Sequence, residues 1–487
     1  MKMLQIESPF FALGSDFYDI VPPGEFKGLK LRWRNPELIT RLGMDPGEVS
    51  DAELLRYFGA FDPLPGRRHP PLAQRYIGYQ FRAFNPHLGD GRGFTLAQVR
   101  SPDGVLLDLG TKGSGTTPWS RGGDGQLTLK GGVREIIAAE FLHAVGIKTS
   151  RALTVIEHDA KLWRSDETSP TRASILVRVG EGHIRFGTFE RIFYLQQDTE
   201  KRQALMTTLA DHVIDTYYPI LLEFPAGPDR YLALYQAVIE RCAVLVAGWI
   251  KAGFCHGVLN TDNMSMTGDS FDYGPFRFME AYDPEFTAAY FDEGGLYAFE
   301  RQPDAVYWNL AMLGRAFAVI APADALQSAL ERFPECYREA LRAALLPRLG
   351  FEDRGSLECK ALLVATLELL RESGCSYHGF FRALTDRVAA MGFDDGGPVL
   401  PEALCRVKGR EAEAAETAWR QAWQKRLEIE PSDDRATTRM VARLQGSNPV
   451  HVPYRSGIER VWTAIERDDD WAPLYGWLEQ LRHKTLA

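Results

Sequence analysis

The segment His256-Gly257-Val258-Leu259-Asn260-Thr261-Asp262-Asn263, followed closely by Asp272-Tyr273-Gly274, decides how the rest of the chain is interpreted. Asn263 and Asp272 supply amide and carboxylate oxygens, the ligands that Mg²⁺ needs when it bridges nucleotide phosphates. Asp262 could accept a proton from an attacking hydroxyl, or it could serve only to orient Asn263. The segment therefore predicts a metal-dependent site that acts on phosphate groups.

The spacing within this segment is that of a protein-kinase catalytic loop, with one change. A kinase loop has His, Asp two residues later and Asn seven residues later, and a metal-binding Asp-Phe-Gly follows. Asn263 and Asp272-Tyr273-Gly274 fit this pattern, but Val258 stands at the position of the kinase base. The sequence thus predicts a kinase-like site that lacks the usual base.

Upstream of this segment, a glycine loop, a hairpin, a lysine and a helix follow one another as in the small lobe of a kinase. The loop is Gly89-Asp90-Gly91-Arg92-Gly93, whose backbone N–H groups and arginine suit phosphate. Strands are predicted over 94–99 and 105–112, and a second glycine-rich stretch over 112–125 leads to a helix over 132–144. We expect Lys112, at the end of the second strand, to hold phosphate.

Charged side chains near this lysine offer further candidates. Glu140 falls in the middle of the apolar face of the predicted helix, whereas Glu135 falls nearly opposite, so the helical pattern favours Glu140 as the partner that orients Lys112. Either glutamate could instead be a solvated helix carboxylate. Arg178 and Arg185 could bind phosphates bidentately, although arginines are common on strand surfaces.

Composition limits the partners and the location. The chain has 487 residues, 45% of them hydrophobic and 25% charged, with a net charge of -9 and no long basic run, which argues against nucleic acid. The apolar window over 242–250 is too short to span a bilayer, so no membrane is expected. Six scattered cysteines and the lack of a signal-peptide pattern predict reduced thiols and a cytoplasmic protein.

The fold class predicted from these patterns is α+β, a protein-kinase-like fold of two lobes with a helical extension. We expect an irregular N-terminal arm over 1–74, a β-rich nucleotide-binding lobe over 75–180, a helical catalytic lobe over 181–330 and a helical extension over 331–487. Further predicted strands lie over 153–156 and 173–179, and predicted loops over 396–402 and 446–452. Helices are predicted over 201–222, 229–252, 303–320, 336–346, 357–371 and 411–428.

The chain resembles the selenoprotein O (SelO/YdiU) family, pseudokinases that act as protein adenylyltransferases. The resemblance covers most of the chain, and the segments that support it are 88–92, 112–115, 124–125, 134–135, 150–153, 183–187, 256–264 and 272–276. In such proteins the fold is kinase-like and ATP lies reversed, so that the α-phosphate faces the acceptor. The resemblance therefore implies transfer of AMP to Ser, Thr or Tyr hydroxyl groups of proteins.

The resemblance also assigns roles to residues. It implies a base role for Asp262 and ligation of Mg²⁺ or Mn²⁺ by Asn263 and Asp272. It implies that Lys112 pairs with Glu135, against the helical-wheel preference for Glu140, and we keep both candidates with Glu135 favoured. Nucleotide contacts are implied for Gly89, Gly91, Arg92, Lys112, Asp124, Gly125, Arg178, Arg185 and Asp272.

Two stretches depart from the family pattern. The usual Tyr-Ala-Gly-His-Gln-Phe-Gly is Tyr76-Ile77-Gly78-Tyr79-Gln80-Phe81-Arg82 here, and Asn-His-Ser-Asp is Ala289-Tyr290-Phe291-Asp292. The C-terminal cysteine of many relatives has no counterpart after Cys405. We therefore expect a divergent branch with a different acceptor, such as another protein, a peptide, a small molecule or the chain itself, and no C-terminal disulfide.

Alternative activities remain open at this point. UMP transfer, or nucleotidyl or phosphoryl transfer to a peptide or small molecule with Asp262 as a displaced kinase base, would use the same residues. A non-catalytic nucleotide-binding scaffold would not need Lys112, Asp262, Asn263 and Asp272 together, so these residues argue against it.

Overall fold

The computed structural model describes residues 4–391, 409–430 and 435–485; the predicted loop over 396–402 lies outside these ranges. The strands are β1 (Ile6–Glu7), β2 (Tyr18–Ile20), β3 (Lys30–Arg34), β4 (Leu72–Gln74), β5 (Gly78–Gln80), β6 (Ala83–Asn85), β7 (Thr95–Arg100), β8 (Leu106–Lys112), β9 (Leu127–Thr128), β10 (Arg151–Leu162), β11 (Thr171–Gly180), β12 (Phe254–Cys255) and β13 (Arg277–Phe278). The helices are α1 (Pro36–Arg41), α2 (Asp51–Phe58), α3 (Leu129–Ala144), α4 (Phe186–Leu195), α5 (Thr199–Tyr217), α6 (Pro228–Lys251), α7 (Gln302–Phe317), α8 (Ala323–Leu330), α9 (Phe333–Leu345), α10 (Leu357–Ser373), α11 (Tyr377–Met391), α12 (Arg410–Leu427), α13 (Ala436–Ser447), α14 (Arg455–Asp468) and α15 (Ala472–Thr485).

Within the described ranges, nine strands form one antiparallel sheet in the order β2-β4-β7-β8-β11-β10-β3, with β1 added beside β7 and β9 beside β11. Successive residues of its central strands enter different cores because side chains alternate between the two faces of a sheet. Leu176 packs in the core that contains helix α3, whereas Val177 packs in the core that contains helices α1 and α2. Both faces of the sheet are therefore covered by helices.

The N-terminal 74 residues are not the irregular arm that the sequence predicts. They contribute β1 to β4, as well as α1 and α2, and all four of these strands belong to the large sheet. Helix α2 begins at a capping box in which Ser50 and Glu53 satisfy each other's backbone N–H groups. Strands of two to five residues are too short to give a detectable period, which is why the turn signals between them dominated the prediction.

Helix α3 begins where the Thr128 side chain accepts a hydrogen bond from the Gly131 N–H group, and it is buried on nearly all sides. Glu140 accepts two hydrogen bonds from Arg151, at 2.9 and 2.6 Å, and one from Asn35 at 3.1 Å. The helical-wheel prediction that Glu140 orients Lys112 is therefore wrong. A helical wheel identifies the buried face of a helix only when the opposite face is exposed to water. No face of α3 is exposed to water.

The rest of the described chain is mostly helical, in agreement with the predicted α+β class. The six predicted helices correspond to α5, α6, α7, α9, α10 and α12, whereas α4, α8, α11 and α13 to α15 were not predicted. Helix α6 is the one described helix long and apolar enough to cross a membrane, and 61% of its most apolar window is buried inside the protein. It is thus the core helix that the sequence suggests.

The C-terminal helices α14 and α15 return to the sheet region and pack on α3. Apolar side chains such as Trp462 and Leu474 join the core of α3. Asp469 accepts hydrogen bonds from Arg172 at 2.6 Å and from Arg32 at 3.0 Å, which ties α14 to strands β11 and β3. Residues from the end of the chain therefore hold α3 in place.

We predict that Glu140→Ala lowers the free energy of unfolding by about 3–5 kcal/mol, because it leaves Arg151 buried without its main counter-charge. Urea titration of Glu140→Ala and of the unsubstituted protein measures this difference. As a control, Glu48→Ala, at an exposed position, should change the free energy of unfolding by less than about 0.5 kcal/mol. Equal stability of Glu140→Ala and the unsubstituted protein would contradict the structural role given to this carboxylate.

Candidate active site

A cavity of about 450 Å³ lies between the sheet and the segment 256–263. Its lining includes all the nucleotide and metal residues predicted from the sequence together with the predicted base: Gly89, Gly91, Arg92, Lys112, Asp124, Gly125, Arg178, Arg185, Asp262, Asn263 and Asp272. Tyr76, Asp90 and Arg164 also line it and were not predicted. The structure thus brings residues from nine segments of the chain to one cavity.

The two glycine-rich stretches form one wall because their backbones pack against each other. The Gly113 N–H group donates to the Arg92 carbonyl at 2.6 Å. A Cβ on Gly93 would lie 2.0 Å from the Thr111 carbonyl oxygen, and one on Gly91 would lie 2.8 Å from that of Trp119. Only glycine allows this approach, so the wall exposes backbone rather than side chains, as phosphate binding requires.

Lys112, the last residue of β8, forms a buried ion pair with Glu135 of α3. Its Nζ atom also lies 3.6 Å from Oδ1 of Asp272. The alternative partner Glu140 does not line the cavity and is bound to Arg151. The structure therefore joins Lys112 to Glu135, the pairing that the family resemblance implies.

Asp272 lies among three cationic groups. Arg178 donates to Oδ1, and Arg185 donates to Oδ2 at 2.6 Å. Burial would raise the pKa of this carboxyl, but the charges of Arg178, Arg185 and Lys112 outweigh burial and hold the pKa well below its usual value. Asp272 also has a φ of +58°, a backbone conformation that non-glycine residues adopt rarely and mostly at functional sites.

Arg185, directly before α4, connects the proposed base segment with Asp272. Its guanidinium group lies between the rings of Tyr76 and Phe271, at 4.5 and 4.7 Å from their centroids, and also donates to the Asp262 carbonyl at 2.6 Å. Two aromatic faces and two hydrogen bonds, one to the Asp262 carbonyl and one to Asp272, leave this cation little freedom. No local pattern in the sequence places Tyr76 against an arginine 109 positions later.

The side chains of Asn263 and Asp262, in the segment 256–263, differ in their hydrogen bonding. The Asn263 side-chain N–H group donates to the Val258 carbonyl at 2.9 Å, which leaves the amide oxygen of Asn263 available as a ligand. Asp262 is 8% exposed, and its Oδ1 atom has no hydrogen-bond partner among the described residues. Burial raises the pKa of Asp262 to about 6. Asp262 therefore lines the cavity with a carboxylate whose Oδ1 atom is buried without a hydrogen-bond partner among the described residues.

Glu190 of α4 lies behind this segment and was missed by sequence reasoning. Its Oε2 atom accepts a hydrogen bond from the Thr261 hydroxyl at 2.7 Å, and that hydroxyl accepts one from the Tyr79 N–H group at 2.9 Å. Burial, reinforced by the nearby charge of Asp262, raises the pKa of Glu190 to about 8. This side chain therefore keeps its proton near neutral pH.

A family model described as "Protein adenylyltransferase SelO" matches residues 1–482. The chain belongs to the SelO family. Curated SelO relatives carry the name "Protein nucleotidyltransferase YdiU". The protein of this name from Trichormus variabilis is 45% identical over 484 residues, which is 99% of this chain and 96% of the relative. The one from Azotobacter vinelandii is 37% identical over 470 residues, covering 96% and 91% of the two chains.

These matches confirm the predicted family, and they make the chain an enzyme of the protein nucleotidyltransferase class. The matches run the length of the chain, so the N-terminal strands and the C-terminal helices belong to the SelO unit as much as the cavity does.

We predict that Glu190→Gln removes a pH dependence of stability. Glu190 has a pKa of about 8 in the folded protein against about 4.5 when unfolded, so the folded state keeps a proton that the unfolded chain loses between these values. Glu190 should therefore cost about 1.4 kcal/mol of stability for each pH unit from 4.5 towards 8. Urea titrations at pH 5 and pH 8 should show that the free energy of unfolding of the variant rises relative to that of the unsubstituted protein as pH increases. An equal difference between the two proteins at both pH values would contradict this account.

Proposed function

We propose that the protein transfers AMP from ATP to a Ser, Thr or Tyr hydroxyl group of an acceptor protein, within a kinase-like fold of two lobes. In this proposal residues 75–180 form the nucleotide lobe and 181–330 the catalytic lobe. The proposal rests chiefly on one observation, which is that Val258 and Asp262 line the same cavity but only Asp262 has an oxygen that can accept a proton.

The distribution of positive charge supports a reversed nucleotide. Lys112, Arg178 and Arg185 lie together around Asp272, next to the backbone wall of the glycine-rich stretches. Groups of this kind stabilise the charge that develops on a leaving pyrophosphate. If they hold the β- and γ-phosphates, the α-phosphate lies towards Asp262, so the acceptor hydroxyl would lose its proton to Asp262 as it attacks the α-phosphorus.

Asn263 and Asp272 offer oxygen ligands to a divalent cation such as Mg²⁺ or Mn²⁺, which would share the Asp272 carboxylate with Arg178 and Arg185. The side-chain N–H group of Asn263 makes the hydrogen bond to Val258, so the amide oxygen is left to act as a ligand. The low pKa of Asp272 keeps that carboxylate ionised. No cluster of three or more His, Cys, Asp and Glu side chains is found in the described part of the chain, which suits an ion that completes its shell with substrate phosphates and water. Such an ion would neutralise phosphate charge in the site.

The cellular setting that agrees with these features is the cytoplasm, where ATP is available. The five cysteines in the described ranges are free thiols, as expected for a reducing compartment. We propose that the acceptor is another protein or peptide, or the chain itself, rather than nucleic acid or membrane.

The position of a radioactive label tests this proposal. With Mg²⁺ or Mn²⁺ and ATP labelled at the α-phosphorus, the chain or an added protein acceptor should become labelled and gain the mass of AMP, whereas γ-labelled ATP should label nothing. The same assay with UTP measures the choice of nucleotide. Transfer of γ-label without α-label would reject the adenylyltransferase proposal in favour of phosphoryl transfer, and binding of ATP without transfer of either label would indicate a scaffold.

The role of Asp262 is tested by its neutral isostere. Asp262→Asn should lower the rate of AMP transfer by about 10²- to 10⁴-fold, the range for loss of a general base, while ATP affinity measured by calorimetry changes little. Asp108→Asn is the matched control, because Asp108 is also buried with a pKa near 6 but does not line the cavity. A collapse of ATP affinity in Asp262→Asn, with turnover of the bound state intact, would make Asp262 a ligand instead of a base.

A further inference from the structure

Exposed aromatic side chains gather beside the mouth of the cavity. Phe84 is 42% exposed, Phe291 49% and Tyr290 82%, and Arg82, on the same hairpin as Phe84, is also exposed. We call Arg82, Phe84, Tyr290 and Phe291 the aromatic rim. Contiguous exposed apolar surface of this kind marks interaction sites on folded proteins.

Ring contacts connect the members of the aromatic rim. On one side, Phe291 packs against Tyr290 and against Phe81, with centroids 5.1 and 5.7 Å apart. On the other side, the contacts run through two partly buried rings: Phe84 to Tyr79 at 5.4 Å, Tyr79 to Trp308 at 5.3 Å, and Arg82 over the Trp308 ring at 5.6 Å.

The aromatic rim is connected through Phe81, which packs against Phe291 and Tyr297, to the segment that carries the proposed base. The Phe81 N–H group donates to the Asn260 side-chain oxygen at 3.1 Å, and the Tyr297 hydroxyl donates to the same oxygen at 2.8 Å. A Cβ on Gly78 would lie 2.6 Å from Oδ1 of Asp262, so strand β5 lies against that carboxylate. A polypeptide bound on the rim would therefore have its neighbouring residues close to Asp262.

The hairpin β5–β6 turns at Phe81 and Arg82 in an unusual way. Both residues have left-handed backbones, with φ of +50° and +62°, at a two-residue turn where Asn-Gly is the favoured pair. Bulky residues in this conformation are strained, and such strain concentrates at functional sites. Position 82 is also glycine in the family pattern, and Tyr79, Tyr290 and Phe291 differ from that pattern too. Of the departures from the family pattern, Arg82, Tyr290 and Phe291 are exposed on this surface and Tyr79 is partly buried beside it, whereas Ile77 and Ala289 are buried.

Charge indicates what the aromatic rim would bind. Arg82 has no ion-pair partner in the described ranges. Arg82 therefore gives the aromatic rim a positive charge that no described carboxylate neutralises. It suits a carboxylate on the bound partner, as the exposed rings suit an apolar side chain.

We propose that the aromatic rim binds the acceptor polypeptide and selects segments that carry an apolar and an acidic side chain near the hydroxyl to be modified. The inference rests on the proposed function and adds to it the class of acceptor sequence. The rim does not contact the cations and glycines that hold nucleotide, so it should affect the acceptor and leave ATP affinity unchanged.

A peptide library with a fixed Ser, Thr or Tyr and varied flanking positions tests this, using α-labelled ATP and Mn²⁺. The unsubstituted protein should label peptides with Asp or Glu together with Leu, Ile or Phe most strongly. Arg82→Glu should reverse the charge preference towards Lys and Arg, with a change of about tenfold in the ratio of labelling. Phe84→Ala and Phe291→Ala should raise KM for apolar peptides about fivefold or more with KM for ATP unchanged.

Two further variants separate recognition from folding. Arg82→Gly suits the left-handed backbone, so it should raise the melting temperature and still lose the acidic preference. Leu357→Ala, at a 76% exposed position on α10 outside the rim, should change neither property. Rim variants that keep the original peptide preferences would overturn the inference while leaving AMP transfer intact. Failure of the unsubstituted protein to transfer α-label to any peptide or protein would overturn the proposed function itself, and this inference with it.

Discussion

Asp272 and the three cations around it are the interaction on which the rest of the site depends. Lys112 comes from β8, Arg178 from β11 and Arg185 from the start of α4, so one carboxylate ties the sheet to the first helix after it. Buried charges are costly unless they are paired, and here each charge compensates another. The positions of β8, β11, α3 and α4 are therefore not independent, because moving one of them would leave a charge buried alone.

The same arrangement explains why the cavity suits an anion. Three cations, Lys112, Arg178 and Arg185, share the two carboxylates of Asp272 and Glu135. The glycine-rich wall adds backbone N–H groups rather than further carboxylates. The fold itself positions these cations and backbone N–H groups, as the proposed binding of phosphates would require.

The sequence predicted those parts of the fold and site that depend on local chemistry. Asn263, Asp272 and Lys112 were identified because metal ligands and strand-end lysines follow short spacings, and the structure lines one cavity with them. Longer helices such as α6 and α10 were predicted from their periodicity. The short N-terminal strands were missed since their pairing partners are distant in the chain. The choice between Glu135 and Glu140 depended on the contacts that Arg151 and Asn35 make with α3, which no local sequence pattern predicts. Glu190 was missed for the same reason, because only its contact with Thr261 places it beside the site.

The packing of α14 and α15 on α3 has a consequence for how the protein is made. Ribosomes synthesise the chain from the N-terminus, so the sheet and the cavity residues leave the ribosome long before residues 455–485, which complete the packing around α3. During that interval Glu135 lies on a helix whose outer surface is uncovered. A nascent chain that already carries every residue lining the cavity therefore still lacks the helices that cover α3.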